Sequence, residues 1–352
     1  MKAAIISLGS KSSAWIFEEM MKCFEEVDFL NLKNFEVTID HQKPQLLYNG
    51  EEIKNYDCVY IRGSFRYSKL MTSISSILEL RGVYLPMKPD IFTIAHDKLL
   101  THLKLQERSV PMPKTFIVSN AETGKNLLSR MKYPIVMKFP EGTHGKGVMF
   151  GESFASASAI LDALTVLKQP FLIQEFIDTE ECEDYRIIVV GDEIAASMKR
   201  KAAIGEQRSN FHLGGECSTI NLPEDFKRVA VGAAKAVNAD ILAVDVLKSS
   251  KGPLVIEINS SPGLQGITAA TNINVAEKIA GYLAKATQDH INSKSNKEVD
   301  KIALKNTHLT TNIKVRGGMI VLPEFVTEMT SFREDEELIF DVEKGKLTIE
   351  RL

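Results

Sequence analysis

A chain of 352 residues, 44% hydrophobic and 25% charged, has the make-up of a globular protein long enough for two or three domains. Its formal charge of −3 argues against a molecule built chiefly to grip nucleic acid. Cys23, Cys58, Cys182 and Cys217 show no paired spacing, so neither a zinc site nor a disulfide framework is implied, and a reducing cytoplasm fits.

The opening Met-Lys-Ala-Ala-Ile-Ile-Ser-Leu-Gly has too short an apolar core for a signal peptide and reads as a first strand, Ala3–Leu8. No run approaches a membrane span. A Gly-Ser turn, a helical pattern over Ala14–Phe24 and a second strand at Cys58–Ile61 suggest a small α/β domain over residues 1–92. Arg62, at that strand's carboxyl end, is placed either to touch substrate or as a surface charge. No Gly-x-Gly-x-x-Gly supports a dinucleotide site here.

From Asp90 the texture changes to that of a nucleotide-handling domain. Asp97 is a plausible N-cap, and Lys98 behind it either reaches a phosphate or is a solvated helix charge. Ser119-Asn-Ala-Glu122 has capping-box spacing before Leu127-Leu128. Tyr133–Phe139 is an apolar strand broken by Lys138, which shares a face with Val136; a lysine so placed needs an anion, and phosphate suits. In Glu141-Gly-Thr-His-Gly-Lys-Gly-Val148, glycines 142, 145 and 147 let backbone N–H groups turn towards an anion, as a flap over a triphosphate or as a plain hairpin turn. A helix over Phe154–Leu167 and a strand over Phe171–Ile177 carrying Glu175 follow. Gly191-Asp192 is the turn of a tight hairpin with Arg186 and Arg200 near its open end. The polar loop Gly205–Gly215 then carries Arg208, Ser209, Asn210 and His212, and suits a segment that closes on substrate. Pro223 opens a helix whose apolar face is Phe226, Val229, Ala230, Ala233 and Val237.

The most telling stretch is Asp240–Gly266. Strands Ile241–Leu247 and Leu254–Ile258 flank a Ser-Ser-Lys-Gly-Pro turn. Strand alternation gives Val255, Glu257 and Asn259 one face, and folding about Lys251 sets Asp245 opposite Glu257. Facing like charges repel, and the expected remedy is a hard divalent cation, Mg²⁺ or Mn²⁺, completed by water and phosphate oxygens. The alternative is an exposed strand face that happens to be acidic.

Together, Asp97-Lys98-Leu99, Lys138, Glu141–Val148, Gln174-Glu175-Phe176, Asp184-Tyr-Arg186, Arg208-Ser-Asn-Phe-His212, Gly214-Gly215, Asp245 and Glu257–Gly266 resemble the ATP-grasp ligases, and within them the RimK-like α-L-glutamate ligases. The resemblance runs from about Asp97 to Gln288. It implies an α/β architecture with an N-terminal pre-ATP-grasp domain and two α+β ATP-grasp subdomains over residues 93–290. It further implies that Lys98 and Lys138 bind ATP phosphates under the flap of Gly142, Thr143, Gly145 and Gly147. Glu175, Phe176 and Asp184 would bind adenine and ribose, and Arg208, Ser209 and Asn210 would approach the phosphates. Asp245, Glu257 and Asn259 would hold two Mg²⁺ or Mn²⁺ ions. The implied chemistry passes the γ-phosphoryl of ATP to a carboxylate, and an amino group, glutamate's by resemblance, attacks the acyl phosphate. Arg200 and Arg208 would steady its oxygens. The acceptor would be a protein C-terminus or a small molecule. Leu213 replaces a basic residue common in the bacterial type, and Gln265 stands where Glu is usual, which leaves acceptor identity open.

Residues 291–308, with Asn292-Ser-Lys-Ser-Asn-Lys-Glu, read as a linker by composition. Beyond them, Thr310–Pro323 reads as strand, Gly-Gly turn, strand; Glu324–Met329 as a helical turn or two; Glu337–Arg351 as a hairpin. Residues 309–352 resemble the AbrB-like swapped-hairpin domain, typically built from two chains and often DNA-binding. Here Lys314, Arg316, Arg333, Lys344, Lys346 and Arg351 are outnumbered by Glu324, Glu328, Glu334, Asp335, Glu336, Glu337, Asp341, Glu343 and Glu350, which opposes phosphate affinity and favours homo-oligomerisation over DNA binding. Two other readings stay open: a ligase using another amino acid, and a DNA-associated regulator that senses nucleotide.

Overall fold

The computed structural model describes residues 1–39, 41, 43–140, 147–166, 171–179, 183–201 and 216–305, then 314–317, 319–321, 326, 330, 332 and 336–351. They divide into two compact units, Met1–His290 and Ile291–Leu352.

The first unit opens with β1 (Lys2–Ser7) and α1 (Lys11–Cys23), whose N-cap Ser10 accepts from the Ser13 backbone N–H. Next come β2 (Glu26–Asn31), the meander β3 (Phe35–Thr38), β4 (Gln45–Tyr48) and β5 (Glu51–Glu52), then β6 (Cys58–Ile61) and α2 (Ser68–Leu80). The parallel sheet β2-β1-β6 has buried central strands, as continuous aliphatic runs such as Ala3–Ile6 require. Cys58–Ile61 is therefore not the second strand of the chain. The mixed run Glu-Val-Asp-Phe-Leu-Asn of β2 hides its strand because only Leu30 is fully buried there.

Two helices, α3 (Ile91–Ile94) and α4 (Lys98–Glu107), lead to a small antiparallel sheet. It comprises β7 (Thr115–Val118), β8 (Ile135–Lys138), β9 (Val148–Gly151) and β10 (Phe171–Glu175) in the order β7-β10-β8-β9, covered by α5 (Ala121–Leu128) and α6 (Phe154–Val166). Leu128, Ile135, Met137, Leu161, Phe171 and Ile173 form its own core, separate from the larger one. The N-cap of α5 is Asn120, which accepts from the Thr123 N–H at 2.8 Å; Ser119, the expected cap, lies one residue outside the helix.

The larger sheet has the order β13-β12-β11-β14-β15. Its strands are β11 (Glu183–Val190), β12 (Glu193–Lys201), β13 (Glu216–Thr219), β14 (Ile241–Ser249) and β15 (Gly252–Asn259), with α7 (Glu224–Ala236) on one face. Pro223 is the cap of α7 and not its first helical residue. The sheet shares a continuous apolar core with the N-terminal α/β layer. After β15 come α8 (Gln265–Thr271) and α9 (Val275–Lys305). Residues 291–305, expected as a linker, are thus helical: a polar run that lacks periodicity also lacks any helix breaker.

In the second unit, β16 (Lys314–Arg316) pairs with β17 (Met319–Val321), and β18 (Leu338–Glu343) with β19 (Lys346–Arg351). Each is a two-stranded sheet, with Ile320, Phe340 and Val342 exposed. Apart from Val326, residues 324–329 lie outside the described residues.

The reassigned cap can be checked directly. Asn120→Ala is expected to cost about 1 kcal/mol in urea unfolding, and Ser119→Ala less than about 0.5 kcal/mol.

Candidate active site

Register alone assembles the centre of the site. Arg186 of β11 stands opposite Asp245 of β14, and Asp245 opposite Glu257 of β15; two residues along β11, Asp184 faces Arg200 of β12. Both alignments depend on one extra residue in a strand. The β11–β12 turn would set Asp184 against Lys199, but the register shifts at Ile188/Val189, where Ala195 is the added residue. In the other hairpin the turn is Ser250-Lys251, centred half a residue before Lys251, and would set Asp245 against Ile256. A shift at Asp245/Val246 makes Ile256 the added residue and brings Glu257 opposite. The facing acids are as expected, reached by a different route. Val255, expected on the Glu257 face, instead pairs with Val246 in the apolar layer, because the bulge breaks the alternation.

Arginines answer the buried charge. Asp245, 2% exposed, accepts from Arg186 Nε and Nη2 at 2.8 and 2.7 Å and lies 2.9 Å from Arg200 Nη2. Arg200, also 2% exposed, donates to both oxygens of Asp184 at 2.6 Å. Burial works to raise the Asp245 carboxyl, but the two guanidiniums outweigh it and hold it at about 2. Glu257 has no such partner among the described residues; burial, then the Asp245 charge, push its carboxyl above the ordinary value. The repulsion expected to call in a cation is thus relieved by guanidiniums at Asp245 and left standing at Glu257.

Two lysines approach from other elements. Lys98 begins α4 behind the cap Asp97, which accepts from the N–H groups of Leu99 and Leu100 at 2.8 and 3.2 Å. Lys138 closes β8 and donates to Gln174 Oε1 at 2.8 Å. Gln174 Nε2 in turn meets Thr115 Oγ1 at 2.7 Å and His102 Nε2 at 3.2 Å. Burial lowers the Lys138 ammonium to about 8 against the pull of Glu257, and lowers Lys98 in the same way. The hydrogen-bond partner of Lys138 among the described residues is a neutral amide, so its charge remains available to an incoming anion.

Glu257, Asn259 and His96 line two hollows. One is a water-sized pocket bounded also by Lys98, Thr101 and His102. The other is a cavity of about 320 Å³ whose wall includes Lys11, Arg62, Arg186 and Arg200. His96 Nε2 is buried without a hydrogen-bond partner among the described residues, and burial, then Lys98, favour its neutral form. As oxygen donors on an open wall, Glu257 and Asn259 fit a hard divalent cation. Asp245 fits less directly, because Arg186 and Arg200 hold its oxygens. Among the described residues, no group of three or more His, Cys, Asp or Glu is arranged to hold a metal.

The other expected site residues distribute as follows. Asp184 is buried with both oxygens on Arg200 and lines neither hollow. Glu175 ends β10, its Oε1 accepting from the Lys114 N–H at 2.8 Å, and the Phe176 ring lies 6.2 Å from that of Phe150; both stand apart from the Glu257 wall. Gly147 has φ +80° in the turn before β9. Gly142, Thr143, Gly145, Arg208, Ser209 and Asn210 lie outside the described residues. Sequence reading gave no role to His96, His102 or Lys11, and left Arg186 without its partner. The placement of Arg186 two residues from Asp184, on one strand face, was the available signal.

Residues 95–283 match the model of the RimK-like ATP-grasp domain, more than half of the chain. The chain belongs to the RimK-like ATP-grasp family. It is 34% identical to a probable alpha-L-glutamate ligase of Vibrio cholerae over 288 residues, 81% of this chain and 96% of that protein. Among solved structures, a RimK domain ATP-grasp protein of Sphaerobacter thermophilus is similar with TM-score 0.61, covering 80% of this chain and 99% of that one at 16% identity. The ATP-grasp ligase PsnB, complexed with a phosphomimetic variant of its minimal precursor, Mg and ADP, is similar with TM-score 0.65, covering 81% and 98% at 16% identity. This RimK-like protein is an ATP-dependent ligase forming carbon–nitrogen bonds. No helix of the described residues is long and apolar enough to cross a membrane.

The Lys138 environment sets a pH dependence. Its folded-state value lies below that of an exposed lysine, so the folded protein sheds this proton first as pH rises through about 8. The burial cost of the charge is full below that pH and fades towards the ordinary lysine value. kcat/KM for ATP is expected to fall as pH climbs past about 8. Lys138→Arg, which stays charged, is expected to remove the fall; a pH–rate profile checks both.

Proposed function

We propose that this ligase joins the amino group of an amino acid, glutamate by preference, to a carboxylate activated by ATP. One observation carries the reading. Glu257 and Asn259 stand between a pocket carrying Lys98 and a larger cavity lined with arginine and lysine. That arrangement suits phosphoryl transfer on one side and anionic substrates on the other. Lys98 and Lys138 would meet the phosphates of ATP, with the flap around Gly142–Gly147 and the Arg208–Asn210 loop closing over them, and Glu175 and Phe176 would take adenine and ribose. Glu257 and Asn259, with Asp245 behind them, would hold Mg²⁺ or Mn²⁺, whose charge neutralises the phosphates as the γ-phosphoryl leaves. The carboxylate oxygen attacks the γ-phosphorus and ADP departs. The amine nitrogen then attacks the acyl carbon, phosphate departs, and the amine loses a proton to give the amide. Arg200, and Arg208 from the loop, would steady the acyl phosphate oxygens.

Glutamate is favoured by the cationic cavity and by the names of the 34%-identical relatives. The acceptor is a protein C-terminus or a small molecule, and Gln265 on the cavity wall is where this chain differs from the usual pattern. Incubation with Mg-ATP, each amino acid and candidate acceptors is expected to give ADP formation that depends on both, with a mass increase of one residue on the acceptor. ADP formation indifferent to every amino acid would sink the reading.

We also infer that the C-terminal hairpins pair with a second copy. Isolated two-stranded hairpins are marginal in water, and these expose Phe340 and Val342. Light scattering is expected to give a dimer or larger for the full chain, and a smaller species for Phe340→Glu.

A further inference from the structure

Arg62 is a buried cation that no acid among the described residues meets. It follows β6 and is 3% exposed. Its Nε donates to Ser13 Oγ at 3.1 Å, Nη1 to Tyr60 Oη at 3.0 Å and Nη2 to the Pro262 carbonyl at 2.6 Å. All three acceptors are neutral, and among the described residues no carboxylate lies within ion-pair distance. The contrast with Arg186 and Arg200 is sharp, since each of those holds an aspartate. A guanidinium has five donors, so two N–H groups remain beyond these bonds. A buried charge left unpaired is costly unless a ligand supplies the counter-charge.

The surroundings point to the same ligand. Arg62 lines the 320 Å³ cavity together with Ser10, Lys11 and Ser12, the first turn of α1. The helix start adds partial positive charge and unpaired N–H groups. Lys11 forms no ion pair among the described residues; its ammonium lies over the Trp15 ring at 5.4 Å. The same cavity reaches Glu257 and Asn259 on its opposite bound. The segment between these ends is tied down: the Gly63 N–H donates to Ser261 Oγ at 3.1 Å and the Leu264 N–H to Ser12 Oγ at 2.9 Å. Arg62 is therefore held at a fixed distance from the reacting end.

We propose that Arg62, with Lys11 and the first turn of α1, binds the carboxylate of the amino-acid substrate that does not react, and so sets specificity for an acidic or α-carboxylate-bearing amine. The inference rests on the ligase reading above and names the substrate group that the N-terminal side of the cavity recognises. Holding that carboxylate fixes where the amino nitrogen points, which is the positional demand of attack on an acyl phosphate.

The test uses the full-length protein with Mg-ATP, an acceptor, and the amino acid it accepts, alongside that amino acid's carboxamide forms. Wild type is expected to prefer the acid to at least one amide by roughly 10- to 100-fold in kcat/KM. Arg62→Gln is expected to raise KM for the acid by a similar factor and to erase the preference, with KM for ATP and for the acceptor within about twofold. Arg62→Lys, which keeps charge but not the fork, is expected to recover part of it. Should Arg62→Gln fail to fold, the exposed-side variant Lys11→Met decides, with a rise of a few-fold in KM for the acid alone. Three outcomes overturn the proposal: wild type using acid and amides equally, the variants shifting KM for ATP or acceptor instead, or folded variants that keep acid-over-amide selectivity. An absence of any amino-acid-dependent ADP formation by wild type would instead strike the ligase reading itself.

Discussion

Asp245, held between two guanidiniums, is the contact on which the rest of this site depends. Burying two aspartates and Arg200, with Arg186 partly buried beside them, in the middle of a sheet brings a large desolvation cost, and such a network stabilises a fold little better than well-packed aliphatics would. Its effect here is positional. Arg186 and Arg200 are drawn against Asp245 and fixed beside the cavity, and Glu257 is left as the one acid of the row without a guanidinium partner. The electrostatic pattern of the cavity is therefore a by-product of strand pairing. Removing either arginine leaves Asp245 with only one of its two guanidiniums, so its burial is less well compensated.

That pattern was only partly legible in the sequence. The period-two runs and short turns of Ile241–Asn259 and Asp184–Arg200 announce hairpins, but the facing of Asp245 and Glu257 depends on a bulge within the first of them. The bulges at Ala195 and Ile256 leave no comparable mark, yet they decide that Arg200 and not Lys199 meets Asp184, and that Glu257 and not Ile256 meets Asp245. Arg186 could not be matched to Asp245 because β11 and β14 are more than fifty residues apart, and their adjacency is a fact of sheet order. The strand β2 was hidden for a local reason, its alternation being blurred by Asp28 and Asn31. The helical run 291–305 was hidden by the opposite fault, a polar composition that reads as unstructured until its lack of glycine and proline is weighed.

Lys138 and the acids belong to differently packed bodies. Lys138 stands on the small sheet with its own core of Leu128, Ile135 and Phe171, while Glu257 and Asn259 stand on the sheet fused to the N-terminal core. A polar contact joins them, Gln174 of the small sheet meeting His102 of α4 at 3.2 Å. The two hydrophobic cores are separate, so neither is continuous across this contact. Phosphate recognition by residues from both bodies would make closure and binding a single event.

The seam at the other end has the reverse character. Arg62, Gly63 and Ser12 bond to Pro262, Ser261 and Leu264 across 198 to 252 residues of chain, beneath one continuous hydrophobic core. The N-terminal layer is consequently no detachable accessory that could be traded among ligases like a cartridge. Recombining it with a foreign catalytic half would leave an orphaned guanidinium and a misaligned exit from β15, so the two halves are bound to change together or not at all.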